Sequence, residues 1–389
     1  MSPLRRVLRE ALGWHRGMAA SALAGFGMIA SAVGLLATSA WLIATAALRP
    51  PLGDLRVAIA AVRAFGIARP ALRYVERLVS HRTTLDLLQR LRVWFFRALE
   101  PLAPARLIEH RRGDLLTRAV ADIETLEQVL VRVVAPSAVA ALTTVAASAI
   151  LGWFHPSLGA VLLGIMLFGG LAIPLGVWRL GRPVGRALTG ERGALGVAVV
   201  DAVQGAPELL ASGRTGDAIE DVGRLGARVD RLRARLATYE AGSAAMLLLV
   251  SQLAVWCLLV VAIPLVRGGM LDGVDMAVIL LAGLASFEAI APLGAAAVHA
   301  HAQEEAAARV LEIVDARPAV VFDGEADAPD SSELRVEGVR FTYPGTHFPA
   351  LDGVDLHVPE GASLALVGPS GAGKSTVAQL LVRFWDPDE

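Results

Sequence analysis

The sequence predicts a mainly α membrane protein in which a domain of six transmembrane helices is followed by the start of an α/β P-loop nucleotide-binding domain. Three observations carry this expectation. The 389 residues are 55% hydrophobic, with a mean hydropathy of +0.56, against ~45–50% apolar in an ordinary soluble protein. Apolar runs long enough to cross a ~30 Å hydrocarbon core recur along the first three quarters of the chain. Near the C-terminus, Gly368-Pro369-Ser370-Gly371-Ala372-Gly373-Lys374-Ser375-Thr376 fits the pattern of a phosphate-binding loop.

Composition narrows the function classes first. The formal net charge of -1 argues against a nucleic-acid partner. A single cysteine, Cys257, excludes a disulfide framework within the chain and any cysteine-rich metal site, and it reads as a small buried hydrophobe. Arg5, Arg6, Arg9 and Arg16 precede an apolar stretch, as in a signal peptide, but residues 17–48 are far longer than a ~7–15-residue secretory core. That stretch is expected to be a retained spanning helix, with residues 3–16 as an amphipathic helix on the bilayer surface.

Five runs qualify as spans by apolar length, at 17–48, 135–154, 157–178, 241–266 and 274–298. A sixth, 54–78, carries Arg56, Arg63, Arg69, Arg73, Glu76 and Arg77 and is included on topology. The segments 79–134 and 179–240 are rich in arginine, which places both inside by the positive-inside bias. With the basic N-terminus also inside, the chain must return before Arg77, so 54–78 crosses as well. Both termini are then cytoplasmic, with short outer turns at 49–53, 155–157 and 267–273.

The inner segments have helical apolar spacing, for instance Leu85, Leu88, Leu91, Phe95 and Leu99, and are expected to extend the spanning helices beyond the bilayer. Turns are expected at 112–114 and 204–207, either to meet a soluble domain or as ordinary loops. The expected division is 1–300 for the membrane domain, 301–333 for a helical extension and linker, and 334–389 for the first part of the soluble domain. Short alternating strands are expected at 334–336, 339–341 and 356–358, and a buried one at 363–367.

The loop 368–376 carries the chemistry. Its glycines let successive backbone N–H groups turn towards phosphate oxygens, and the positive end of the following helix assists. Lys374 is expected to reach the β- and γ-phosphates of ATP, and the Ser375 hydroxyl to sit on Mg²⁺. Lys374 is also the one lysine in the chain, placed where a compact ammonium on a flexible stem is needed.

Taken together, these features resemble an ABC exporter half-transporter over the whole chain. Matching segments include Phe341-Thr342-Tyr343, Leu351-Asp352-Gly353-Val354, and Gly113-Asp114-Leu115-Leu116-Thr117-Arg118 followed by Asp122. More narrowly, Arg73-Tyr74-Val75-Glu76-Arg77-Leu78-Val79-Ser80-His81, Leu91-Arg92-Val93-Trp94-Phe95-Phe96 and Pro101-Leu102-Ala103-Pro104 resemble the CydC-type subunits of heterodimeric CydDC thiol exporters.

The resemblance implies a multi-pass protein of the bacterial plasma membrane, paired with a CydD-type second half-transporter. It further implies outward movement of cysteine or glutathione in support of cytochrome bd assembly. Tyr343 becomes an adenine-stacking residue, and His81, at the end of the second span, a candidate axial ligand for haem. Two other readings stay open: a lipid or drug exporter half, and a membrane-tethered P-loop nucleotide sensor without transport. The ATPase motifs that normally follow a P-loop fall beyond Glu389, so the chain is expected to be a fragment of a longer protein that holds phosphates without hydrolysing ATP.

Charges in the second span need a reason, since an arginine at mid-membrane costs roughly 2.5–3.5 kcal/mol on insertion scales. Arg69 and Arg73 share a face at i, i+4 and, with Arg63, are expected to hold substrate carboxylates. The alternative is a structural role, in which they pair with Glu76 or Arg73 reaches towards the inner surface.

Overall fold

A computed structural model describes residues 3–11, 16–109, 115, 118–320 and 331–389. A short helix α1 (Pro3–Ala11) precedes α2 (Arg16–Ala47) and α3 (Leu52–Leu99). Four more helices complete the body: α4 (Arg118–Phe154), α5 (Pro156–Gln204), α7 (Thr215–Arg267) and α8 (Gly273–Val314), with α6 (Ala206–Ala211) a short piece between α5 and α7. The C-terminal part contains β1 (Leu334–Phe341), β2 (Leu351–Val358) and α9 (Lys374–Leu381). The chain divides into two compact units, residues 1–91 with 121–309, and residues 92–120 with 310–389.

Five helices, α2, α4, α5, α7 and α8, are long and apolar enough to cross a membrane. The helix breaks fall at 48–51, at His155 and at 268–272. Within their apolar stretches these helices expose large apolar side chains such as Ile43, Trp153, Leu248 and Trp256, as a lipid-facing surface requires. α3 is a continuous helix through 54–78 but is not among the five, because its arginines lower the hydropathy of every window.

In the first unit, Leu151 and Leu158 at one end, Leu162 and Met166 along α5, Leu258 on α7, and Ile279 and Ile290 on α8 form a fully buried core. Glycines set how closely the helices approach. A Cβ on Gly17, Gly27 or Gly34 would press against Thr83, Leu72 or Phe65 respectively, so positions rising along α2 meet positions falling along α3. The two helices are therefore antiparallel neighbours from Phe65 to Thr83. The α4–α5 hairpin is tighter: His155 caps α5 by accepting from the Ser157 N–H at 3.3 Å, and Pro156 follows at the first helical position. Just beyond, a Cβ on Gly159 would lie 2.5 Å from the Ser148 carbonyl oxygen and 2.8 Å from Gly152 Cα.

In the second unit, β1 and β2 pair antiparallel, with Leu334 opposite Val358 and Phe341 opposite Leu351. The expected strands 334–336 and 339–341 are one strand, with an irregularity at Gly338. That residue takes φ +59° and donates its N–H to Asp355 Oδ1 at 2.6 Å.

The expected buried strand at 363–367 is corrected. It forms no regular structure, pairs with no strand among the described residues, and leaves Leu364, Leu366 and Val367 exposed. An apolar run becomes a strand only when neighbours satisfy its backbone on either side, and the sheet described here has two strands. Of the helix expected over 3–16, residues 3–11 are described and helical, and the expected turn at 112–114 lies outside the described residues, as does most of the Gly113–Arg118 motif. The expected turn at 204–207 is present at Gly205, followed directly by α6.

Candidate functional site

The P-loop lies between the extended segment 362–368 and α9. Gly371 and Gly373 adopt left-handed φ values of +86° and +81°, a region that glycine enters without a Cβ penalty. Gly373 also caps α9, and a Cβ there would meet Leu351 Cδ2 at 2.7 Å and the Ala350 carbonyl oxygen at 2.9 Å. The loop is thus shaped by backbone torsion and by the start of β2, Ala350 and Leu351, pressing beneath it.

Lys374 opens α9 and its ammonium donates to the carbonyl oxygens of Gly368 at 2.8 Å and Pro369 at 2.7 Å, closing the loop on itself. Ser375 is exposed in the first helical turn, while Thr376 is buried. Tyr343 sits against this helix. Its hydroxyl donates to Gln379 Oε1 at 2.8 Å and shares a 3.2 Å hydrogen bond with the Thr376 hydroxyl. Its ring stands edge-on to Phe341 and to Trp385, with centroids 4.8 and 5.8 Å away. Ala105, from the segment after α3, joins Phe341, Leu351, Val377 and Trp385 in the buried cluster below.

Sequence reasoning missed Gln379 and Trp385 as parts of this arrangement. Removing the hydroxyl in Tyr343→Phe keeps the ring packing but leaves the Gln379 oxygen without its donor. The expected result is a local destabilisation of about 1 kcal/mol, read as faster hydrogen exchange of the α9 amides in the full-length protein.

The charged residues of α3 are brought together differently from expectation. Arg69 pairs with Glu288 on α8, its Nη2 donating to Oε1 at 2.7 Å and Oε2 at 2.8 Å. Among the described residues, Glu76 forms no ion pair with Arg69 or Arg73. Its Oε1 accepts from the Ser21 hydroxyl of α2 at 3.5 Å, because the glycine face of α2 brings that helix against it. Arg63 and Arg73 are exposed and form no ion pair among the described residues. Glu288 was legible as an isolated carboxylate inside the apolar run 274–298, the feature that a paired intramembrane charge leaves in a sequence.

His81 is exposed on α3, and no group of three or more histidine, cysteine or carboxylate side chains is close enough to hold a metal among the described residues. Haem iron takes only one or two axial side chains, so a single exposed imidazole such as His81 bears on haem without any such cluster.

Two further pairs fix helix ends. In the first unit, Arg309 Nε and Nη2 donate to the two oxygens of the buried Asp122 at 2.8 and 2.6 Å, a fork on a carboxylate. In the second, Arg118 Nη1 donates to Glu312 at 2.6 Å.

A bundle of long apolar helices joined to a nucleotide-type P-loop defines the class, and residues 351–389 match the family model described as ABC transporter. The chain is a multi-pass membrane protein resembling an ABC half-transporter, as its motifs led one to expect. Over most of its length it is similar to CydC proteins. It is 36% identical over 334 residues to the glutathione/L-cysteine transport system ATP-binding/permease protein CydC of Escherichia coli, covering 85% of this chain and 58% of that relative.

The CydC protein of Haemophilus influenzae is 31% identical over the same share of each chain, and the corresponding CydD protein of Bacillus subtilis 30% identical over 343 residues, again 85% and 58%. The chain thus spans a little over half the length of these relatives. An ATP-dependent lipid A-core flippase of Salmonella typhimurium is 51% identical, but over 59 residues, 15% of this chain and 10% of the flippase.

Proposed function

We propose that this chain is one half of an ATP-driven exporter that moves small thiols bearing carboxylates, cysteine or glutathione, out of the cytoplasm in support of cytochrome bd assembly. It works beside a second, CydD-type half-transporter in the bacterial inner membrane. The observation that carries the reading is the union, in one chain homologous to CydC over 85% of its length, of a multi-span helical body and a P-loop. The lipid exporter alternative has no comparable support, since its relative matches over 59 residues only.

In this reading residues 1–300 form the membrane domain, 301–333 the extension and linker, and 334–389 the first part of the ATP-binding domain. The membrane domain has six crossings, with both termini cytoplasmic. The sixth crossing is supported by the antiparallel register of α2 and α3: if α2 crosses the bilayer, a helix packed antiparallel beside it from Thr83 to Phe65 returns through it.

At the P-loop, bound ATP supplies the phosphoryl group and Mg²⁺ neutralises its charge. The residues present fit both. The glycines open the loop backbone, Lys374 would exchange its bonds to the Gly368 and Pro369 carbonyls for phosphate oxygens, and the exposed Ser375 hydroxyl would be available to hold the metal. Tyr343, anchored through its hydroxyl, offers ring surface to the adenine. Arg63, Arg69 and Arg73 form the cationic face that receives substrate carboxylates.

The full-length protein with its second subunit, reconstituted in proteoliposomes, is expected to move glutathione in an ATP-dependent manner and to show thiol-stimulated ATPase activity. Stimulation should fall severalfold in Arg69→Gln/Arg73→Gln, as expected when charge-assisted hydrogen bonds of about 1.5–3 kcal/mol are lost. Stimulation by lipids or hydrophobic drugs in place of thiols would overturn the substrate assignment.

A further inference from the structure

We propose that Glu288 acts as an internal stand-in for the substrate's carboxylate, holding Arg69 when no substrate is bound and giving it up to an incoming carboxylate. The inference rests on the export reading above and adds to it a residue that determines specificity.

The geometry of the pair points this way. A guanidinium and a carboxylate make their strongest contact fork to fork, through two parallel N–H donors. Arg69 does not use that arrangement. A single nitrogen, Nη2, serves both oxygens of Glu288, at 2.7 and 2.8 Å. Its Nε is buried and has no hydrogen-bond partner. A buried donor without an acceptor is costly and rare, so the pair leaves part of the arginine's binding capacity unspent.

The pair is also reachable, because the side chains of Arg69 and Glu288 keep 33% and 38% of their exposure. A sealed structural bridge would be closed to exchange; this one is open to a small solute. One turn along the same face of α3, Arg73 is exposed and adds a second positive charge without an ion-pair partner among the described residues. A ligand carboxylate arriving there meets two guanidinium groups and one competing carboxylate. Glu288 comes from α8, 219 positions away in sequence, so its release also frees one helix from the other at the moment of binding.

The Asp122–Arg309 pair provides the contrast. There, Nε and Nη2 each take one oxygen of a carboxylate that is only 5% exposed. That bridge is made fork to fork on a buried carboxylate, although Arg309 keeps the same 33% exposure as Arg69, so the two pairs differ in donor geometry and in the burial of their carboxylates.

The test uses the full-length protein with its second subunit in proteoliposomes, with glutathione and its uncharged diethyl ester as probes. In Glu288→Gln the competing charge is gone, so the glutathione concentration for half-maximal ATPase stimulation should fall roughly five- to tenfold, the size of a modest coupling between sites. The diethyl ester should show no such gain. An unchanged half-maximal concentration in a well-folded Glu288→Gln protein overturns the proposal.

Should that variant fail to fold, Arg69→Gln/Glu288→Gln, which leaves no unpaired charge, carries the test. Loss of its glutathione stimulation supports the proposal, and stimulation at the wild-type concentration overturns it. If the wild-type protein is not stimulated by any thiol, the export reading itself fails and this inference falls with it. A wild type that responds beside a Glu288→Gln variant that does not shift removes the inference alone.

Discussion

Replacing Lys374 by alanine is expected to lower ATP turnover at this site by roughly 10²-fold or more, the scale seen when one preorganised charge-stabilising donor is removed. The ammonium has two tasks here. Without nucleotide it ties the Gly368 and Pro369 carbonyls at 2.8 and 2.7 Å, holding the loop in its turned form. With nucleotide it is the compact positive charge closest to the group being transferred.

Lys374→Arg keeps the charge but replaces a point donor with a planar fork that the loop is not shaped to accept, so it should not rescue turnover. The measurement is ATP hydrolysis by the full-length protein in a background whose partner site is disabled. Turnover within twofold of wild type would remove Lys374 from the site.

Gly159→Val should have the largest effect on the membrane body. Its new Cβ would fall on backbone atoms, the Ser148 carbonyl oxygen and Gly152 Cα, and backbone cannot rotate away as a side chain can. The α4–α5 hairpin would have to open, drawing the fully buried Leu151, Leu158 and Leu162 out of register with α7 and α8. Overpacking of a close-fitting core costs about 1–3 kcal/mol and occasionally more. Here the upper end applies, because β-branching adds bulk at the point of closest approach. Thermal unfolding in detergent should show a clear loss of stability, while Gly164→Ala, at a position with open space beside it, should behave as wild type.

How much of this was legible beforehand depends on the range of each interaction. Apolar runs are local, and the expected span 135–154 matches a regular helical stretch, Ala135–Phe154, while 17–48 falls within a residue of α2. The P-loop was equally plain, since its glycines, lysine and flanking helix are contiguous. Partners distant in sequence were not. Arg69 was read as awaiting a substrate carboxylate or, as the structural alternative, Glu76, yet the carboxylate that reaches it stands on α8.

Tyr343 was read for its ring, whereas the partners of its hydroxyl, Thr376 and Gln379, and its packing neighbour Trp385 lie 33, 36 and 42 positions downstream, beyond what local spacing shows. The run 363–367 has strand composition, but a strand is completed by its neighbours and these five residues have none among those described.

The glycine-lined seam between α2 and α3 bears on how such a chain enters a bilayer at all. Considered alone, α3 is a poor passenger: its arginines each resist partitioning, and no window of it reaches the apolarity of the other long helices. Its neighbour is already made when it emerges during synthesis, and Gly17, Gly27 and Gly34 offer it a groove deep enough for Thr83, Leu72 and Phe65. The natural unit of insertion is then the helical hairpin, with α2 acting as an intramolecular chaperone that carries a charged helix into lipid on the strength of close packing.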